Sequence, residues 1–286
     1  MQRKSTVAFL MTLPLIILVI VLVAYPAASA IYLSMLDRGM TRFVGFGNFA
    51  YLFGRHRFWM IVYQTSLFAV GAVVCKAILG FAAAHFMHNI PARGQRTWRG
   101  MLLVPWVIPP AMSTLAWREL LDPSFSPFNW ILDRVGLDRI YWLAETGWAR
   151  FSIILATVWF GAPFFMVMYL AALKSVPDEL YEAAAIDGAT WWQRTRYVTF
   201  PLTRNVMAII MLFSLIGGFT GFTIVAVLTG GGPLGTTTVL ATAAFLVGIA
   251  SGNFPLGAAV ALCMVPVLAV AAILILRGIA KRGSEV

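Results

Sequence analysis

A polar island interrupts an otherwise apolar chain: Glu182-Ala-Ala-Ala-Ile-Asp187-Gly188-Ala, then Trp191-Trp-Gln-Arg-Thr-Arg196, ending Thr199-Phe-Pro201-Leu. A stretch this charged does not belong in lipid. Ala183, Ala184 and Ala185 favour helix, Gly188 permits a sharp turn, and a second helical stretch runs to a stop at Pro201. The pattern predicts a short helix-turn-helix displayed on the membrane surface. Acids stand on its first half, Arg194 and Arg196 on its second. The plain alternative is an amphipathic helix lying in the interface.

The other residues able to do chemistry are few. Lys76 is the one charge near the middle of a predicted span, where a charge must face other helices, a cavity or the interface. Two roles are open to it, contact with a solute or contact with another subunit. His85 and His88 follow without acids at metal-ligand spacing and read as interfacial, so no metal site is expected. Gly230-Gly-Gly-Pro-Leu-Gly235-Thr lacks the lysine of a phosphate-binding loop. Glu119, Asp122, Asp178, Glu179, Glu182 and Asp187 fall at helix ends or in loops, leaving no carboxylate for a proton relay. Neither ATP hydrolysis nor proton coupling is expected of this chain, and no catalytic residue is assigned. Its energy must come through a partner, and the island is the built connector.

The elements that position these residues follow from composition. Of 286 residues, 60% are hydrophobic and 11% charged, with mean hydropathy +0.85, which describes an integral membrane protein. Cys75 and Cys263 lie in apolar stretches, so no disulfide is implied. Six segments reach the length of a span, at about Val7–Met35, Ile61–Met87, Met101–Leu121, Phe151–Leu173, Val206–Leu228 and Gly257–Leu276. The first is too long for a cleaved signal and is expected to stay as a spanning helix. Val239–Ile249, after the Gly230–Pro233 break, is shorter and reads as a re-entrant or surface helix. Residues 1–286 therefore form a single transmembrane domain, with the island at about 174–204.

Lys and Arg set the orientation. Arg3, Lys4, Arg93, Arg96, Arg99, Lys174, Arg194, Arg196, Arg204, Arg277, Lys281 and Arg282 fall on the side of the termini, twelve in all. The opposite side has eight: Arg38, Arg42, Arg55, Arg57, Arg118, Arg134, Arg139 and Arg150. Both termini and the island are thus expected in the cytoplasm. In a membrane chain the net charge of +10 records topology and contact with anionic lipid, not nucleic acid.

Two spans are irregular. Leu103-Val-Pro105-Trp106-Val-Ile-Pro109-Pro110 places three prolines in the third, and kinked helices near the midplane are where transporters build solute sites. The fifth contains Ser214-Leu-Ile-Gly217-Gly218-Phe219-Thr220-Gly221. Its small residues permit either tight helix packing or a groove lined by hydroxyls and aromatic faces. Glycine spacings of three and four put Gly217, Gly218 and Gly221 on one sector of that helix.

The island resembles the EAA loop of ABC-importer permeases, whose pattern is Glu-Ala-Ala, three residues, Gly, nine residues, an aliphatic residue, one residue, Leu and Pro. Glu182, Ala183, Ala184, Gly188, Val198 and Pro201 match, with Phe200 in place of the Leu. The stretches Phe43–Phe49, Trp117–Asn129 and Leu228–Pro233 resemble the sugar-permease branch of the same family, so the likeness covers nearly the whole chain. The resemblance implies a type I ABC importer fold, all-α, with six transmembrane helices and a cytoplasmic coupling helix-turn-helix. It implies a second homologous permease, two copies of an ATP-binding-cassette ATPase holding ATP and Mg, an extracytoplasmic solute-binding protein, and a place in the bacterial plasma membrane. Glu182, Ala183, Ala184, Asp187, Gly188 and Pro201 would couple to the ATPase, Glu182 and Asp187 through cap and docking contacts.

In the maltose permease of this family, sugar contacts come from the third, fourth and fifth spans. Carried over by the proline, Trp-x-Gly and EAA landmarks, they fall on Trp106, Thr157, Phe160, Gly161, Ser214, Gly217, Gly218 and Gly221. The last three are glycines where that relative has an aromatic and amides. A different or bulkier glycoside, or contacts mainly on the partner permease, would follow. The expected function is passage of a sugar or related glycoside or polyol. The alternative is a six-span channel or facilitator, which calls for a pore-lining charge ring or paired half-helices, and the sequence has neither.

Overall fold

The computed structural model describes residues 2–283, the side chains of 2–8, 92, 93, 282 and 283 aside. Arg3, Lys4, Arg93 and Arg282, counted for orientation, have side chains outside that set. The described residues are helical, with no strand beyond an isolated bridge between Leu36 and Phe43. Five continuous helices are long and apolar enough to cross a membrane: Phe9–Ser34, His56–Asn89, Thr146–Lys174, Trp191–Thr220 and Phe254–Lys281. A bent pair, Gly94–Val107 and Pro110–Leu120, completes a set of six when it is taken as one span. The apolar helix Leu240–Ala250 is too short to cross, as its length in the sequence implies.

Three boundaries differ from those expected. The third span is not one kinked helix over Met101–Leu121. It breaks at Ile108-Pro109, where both residues adopt extended ψ, and its halves meet at 90°. Consecutive prolines explain this, since each forces the residue before it out of the helical region. Pro201 does not stop a helix. Trp191–Arg194 passes through a π turn at Thr195–Thr199 into Phe200–Thr220, with the Phe200 amide bonded to the Thr195 carbonyl, five residues back. That extra residue rewinds the turn just before the ring of Pro201, which would otherwise clash with the carbonyl of Tyr197. Finally, the fifth span ends at Gly221 (ψ 108°), and Thr223–Leu228 is a separate short helix.

The chain packs into two compact units. One comprises residues up to Trp59 together with Ala243–Pro266. In it Phe254–Leu262 lies against Tyr25–Ser34 and Gly47–Phe53. Asn48 closes the turn after the first span, its side-chain amide donating to the carbonyls of Ser34 and Leu36, each at 2.8 Å. Asp37 does the same from the other side, accepting from the amides of Thr41 and Arg42. Those two amides hold the Asp37 carboxyl below its ordinary value.

The other unit, Met60–Thr242 and the chain from Val267 onward, contains the candidate site. Its core has two parts. Around Phe165, Met166 and Tyr169 of the fourth span gather Ala84 and Met87 of the second and Met207 and Ile210 of the fifth. Around Ile153 and Ala156 gather Phe68, Leu121, Val225, Leu228 and Val239. The segment after the glycine run is tied back by hydroxyls: Thr237 Oγ1 donates to the Gly232 carbonyl (2.6 Å), and Thr65 Oγ1 of the second span accepts from the Leu240 amide (2.9 Å). In the loop between the third and fourth spans, Asn129 bonds both backbone groups of Ile140 and accepts from Trp142 Nε1. Asp133 and Arg139 form an exposed ion pair (2.8 Å), the carboxylate raising the guanidinium's affinity for its proton.

Candidate functional site: a surface loop and an intramembrane cavity

The island folds as a helix-turn-helix. Pro177 precedes Asp178–Ile186, whose first turn carries Asp178 and Glu179, as the positive end of a helix dipole favours. Asp187 is the C-cap, just past the last helical residue Ile186, and Gly188 follows at φ +72°. The Gly188 amide bonds the Ala185 carbonyl (3.1 Å) and the Ala189 amide bonds the Ala184 carbonyl (2.9 Å). This pair of bonds is a Schellman motif and satisfies the carbonyls that the helix end leaves open. Thr190 then starts the next helix through a reciprocal capping box with Gln193. Capping thus belongs to Gly188 and Thr190. Glu182 and Asp187, expected to cap, are exposed, as is Ala183, while Ala184 is half-buried. Pro201 lies outside the loop, in the shaft of the fifth span.

The loop rests on one end of the second and fifth spans. Tyr181 Oη meets Thr199 Oγ1 at 3.0 Å, and the His85 ring packs edge-on to Trp191 with centres 5.7 Å apart. It also holds apolar side chains outward beside the exposed acids Glu182 and Asp187, with Ile186 87% and Trp192 65% exposed. Apolar side chains held out on a polar loop form a surface suited to a protein partner.

A cavity of about 570 Å³ opens among the second to fifth spans. All eight positions carried over for the solute path line it. Trp106 and Pro110 stand on either side of the third-span break, and the Trp106 and Phe164 rings lie 6.0 Å apart. Thr157, Phe160 and Gly161 come from the fourth span, and Thr157 Oγ1 donates to the Ile153 carbonyl (2.6 Å), which leaves its lone pairs as acceptors.

The glycines do not act alike. Gly217 faces open space: an added Cβ would meet nothing within 4 Å. A Cβ on Gly218 would come within 3.0 Å of Ala69 Cα, so this glycine allows the second and fifth spans to touch. Gly221 is the C-cap of that helix, in extended backbone, so helical spacing does not place it, although all three glycines line the same cavity.

Sequence reasoning missed some of the wall, including Phe68, Phe165, Phe213 and Phe222. Apolar aromatics in a span carry no local signal that separates a cavity wall from a lipid face. Lys76 also lines the cavity, its Nζ donating to Ser214 Oγ at 2.6 Å. Its position as a lone mid-span charge was the available clue.

Residues 76–282 match the family described as "Binding-protein-dependent transport system inner membrane component". The chain is 34% identical over 248 residues to the trehalose/maltose transport system permease protein MalF of Thermococcus litoralis, covering 85% of this chain and 83% of that one. It is 31% identical over 239 residues to the sulfoquinovosyl glycerol transport system permease protein SmoG of Agrobacterium fabrum, covering 82% and 77%. In structure it superposes with TM-score 0.85 and 24% identity on a chain of a bacterial ABC transporter involved in the import of the acidic polysaccharide alginate, covering 98% of this chain and 96% of that one. A methionine ABC transporter shares the fold more loosely, at TM-score 0.56 over 78% of this chain and 96% of that chain. The likeness favours a permease over a channel or facilitator. The chain belongs to the binding-protein-dependent transport system inner membrane component family, and it is a multi-pass permease of the ABC-importer class.

Proposed function

We propose that this permease translocates a carbohydrate or related glycoside or polyol. The observation that carries the solute class is the cavity lining, which combines aromatic side chains with the hydroxyl residues Thr157, Ser214, Thr220 and Thr223. A sugar ring has an apolar face and a polar rim, so it is held by stacking on one and hydrogen bonds to the other. The permeases named for trehalose/maltose and sulfoquinovosyl glycerol support the same class while differing in solute.

The same reading makes the chain one half of a membrane unit with a second homologous permease. Two copies of an ATPase supply ATP and Mg chemistry, and an extracytoplasmic binding protein delivers the solute. The excess of Lys and Arg at the termini and the island supports placing both ends and the coupling loop in the cytoplasm of a bacterial plasma membrane. The exposed Ile186 and Trp192 supply apolar contact for the ATPase.

The test is co-expression with candidate partners and uptake of a saccharide panel by the reconstituted complex. Recovery with a different permease and two ATPase copies, and saccharide-stimulated hydrolysis whose solute range changes in Trp106→Ala, are expected. A transport-active homodimer lacking any ATPase would overturn the reading.

A further inference from the structure

Lys76 is the one charged side chain among the residues lining the cavity. It comes from the second span, is buried to 7% exposure, and is accommodated by Gly161, where an added Cβ would fall 2.5 Å from Lys76 Cδ. Its Nζ donates to Ser214 Oγ at 2.6 Å and stands 5.7 Å from the centre of the Phe165 ring. An ammonium has three donors, and a hydroxyl and a ring face satisfy only part of it. No Asp or Glu lines the cavity, and among the described residues the ion pair present is Arg139–Asp133, on an exposed loop. A buried charge is costly unless a counter-charge or several hydrogen bonds offset it. A methionine or leucine would complete the same apolar wall without that cost. The acceptor for Lys76 is therefore to be sought in what passes through the cavity.

We propose that the solute carries an anionic oxygen group, such as a carboxylate or sulfonate, and that Lys76 is the counter-charge that receives it. The inference rests on the carbohydrate reading and narrows it to acidic saccharides. Aromatic faces hold the rings, Ser214 orients Nζ, and the remaining ammonium donors take the anion through charge-assisted hydrogen bonds. Neutral hydroxyls can accept from Nζ as Ser214 does, but they leave its charge unopposed.

The test uses the whole complex with its binding protein in proteoliposomes, and probes paired by one group: glucuronate, galacturonate, their disaccharides and a 6-sulfonated hexose, each against its neutral parent. Uptake and solute-stimulated ATP hydrolysis are read at matched recovery of complex. An acid should act where its neutral parent does not. Lys76→Met should raise its half-saturating concentration about tenfold or more, and Lys76→Arg should restore most of the loss. Ser214→Ala, which keeps the charge, should shift it less than about threefold. Because Lys76→Met also removes a packed side chain, a second measurement uses the unsubstituted protein: the active acid should protect Lys76 from acylation by acetic anhydride, read by mass spectrometry.

Acid uptake unchanged in Lys76→Met, neutral sugars acting while acids do not, or no acid that acts or protects would each overturn the inference. Neutral-sugar transport would do so while leaving the carbohydrate reading intact. Conversely, Lys76-dependent transport of citrate or glutamate, with every saccharide silent, would uphold the counter-charge and overturn the carbohydrate reading.

Discussion

The surface helix-turn-helix and the cavity walls both depend on glycine, for opposite physical reasons. Gly188 is needed for a backbone angle: its φ of +72° is one that a β-branched residue avoids, yet nothing lies within 4 Å of where its Cβ would be. Gly80, Gly161 and Gly218 sit within helices and matter for volume, because another span occupies the place of the missing side chain. The loop is closed by neighbours a few residues away, the walls by partners far along the chain, as in Lys76 to Ser214, 138 residues apart. Damage should therefore stay local in the loop and spread in the walls.

The largest effect should come from Gly80→Val. A Cβ at Gly80 would run into Phe165 Cβ and stand 3.0 Å from the Met166 amide nitrogen, so backbone as well as side chain must move. Overpacking of this kind costs about 1–3 kcal/mol or more. Recovered, folded protein should fall at least about tenfold by size-exclusion profile at equal expression. Recovery equal to that of the parent would break the volume argument.

Next, Gly188→Val should leave membrane insertion and yield near normal while abolishing solute-stimulated ATP hydrolysis. The left-handed conformation costs a side-chain-bearing residue about 1–2 kcal/mol, and the turn it distorts lies outside the spans. Gly188→Asn should retain much of the stimulation, because Asn tolerates that region. Full stimulation in Gly188→Val would remove the loop from the coupling route.

A subtler separation lies within one adjacent pair. Gly218→Leu meets Ala69 and should lower assembly first, whereas Gly217→Leu projects into open space and should assemble yet reduce uptake by obstructing the cavity. The measurement is uptake per recovered complex for both variants. If Gly217→Leu transports normally, the solute takes another course.

The smallest effect belongs to the turn at Asp37, which is also closed by near neighbours. Its carboxyl is held below the ordinary value of 3.8 by the amides of Arg42 and Thr41. A lowered value in the folded state means stabilisation that is complete above the ordinary value and disappears as pH falls through the lowered one. At neutral pH, Asp37→Ala should speed tryptic cleavage at Arg38 or Arg42 a few-fold, and in the parent protein acid below the ordinary carboxylate value should progressively loosen the same turn, read by hydrogen exchange of the Thr41 and Arg42 amides. Equal cleavage rates would show that the turn is held by Asn48 alone.

How much could be foreseen follows the same division. The helix-turn-helix was legible because Ala183, Ala184, Ala185 and Gly188 are local signals, each acting within a few residues, whereas the Pro177 and Thr190 caps were seen only in the structure. The six apolar segments were legible because length and hydropathy are local sums. Pro201 was misjudged, since a π turn that relieves a proline clash leaves no mark in spacing. The assignment of Gly218 to packing and Gly217 to open space could not be read either, because it depends on which helix stands opposite. The eight cavity positions were located by likeness to relatives, and the aromatic walls around them emerged only when four spans were brought together.

The fifth span has one more consequence. From Trp191 to Thr220 it is a single helix of 30 residues, and at ~1.5 Å per residue its length is about 45 Å. Such a rod bends more readily than it shortens, so an axial thrust applied at Trp191 reaches Ser214 and Gly217 as a stroke of nearly the same length. The looser winding at Thr195–Thr199 is the place along it where rotation is most easily absorbed. At Gly221 the rod ends in extended backbone. Only Gly221 and Phe222 separate it from the short helix Thr223–Leu228, so the change of direction between the two is made within two residues.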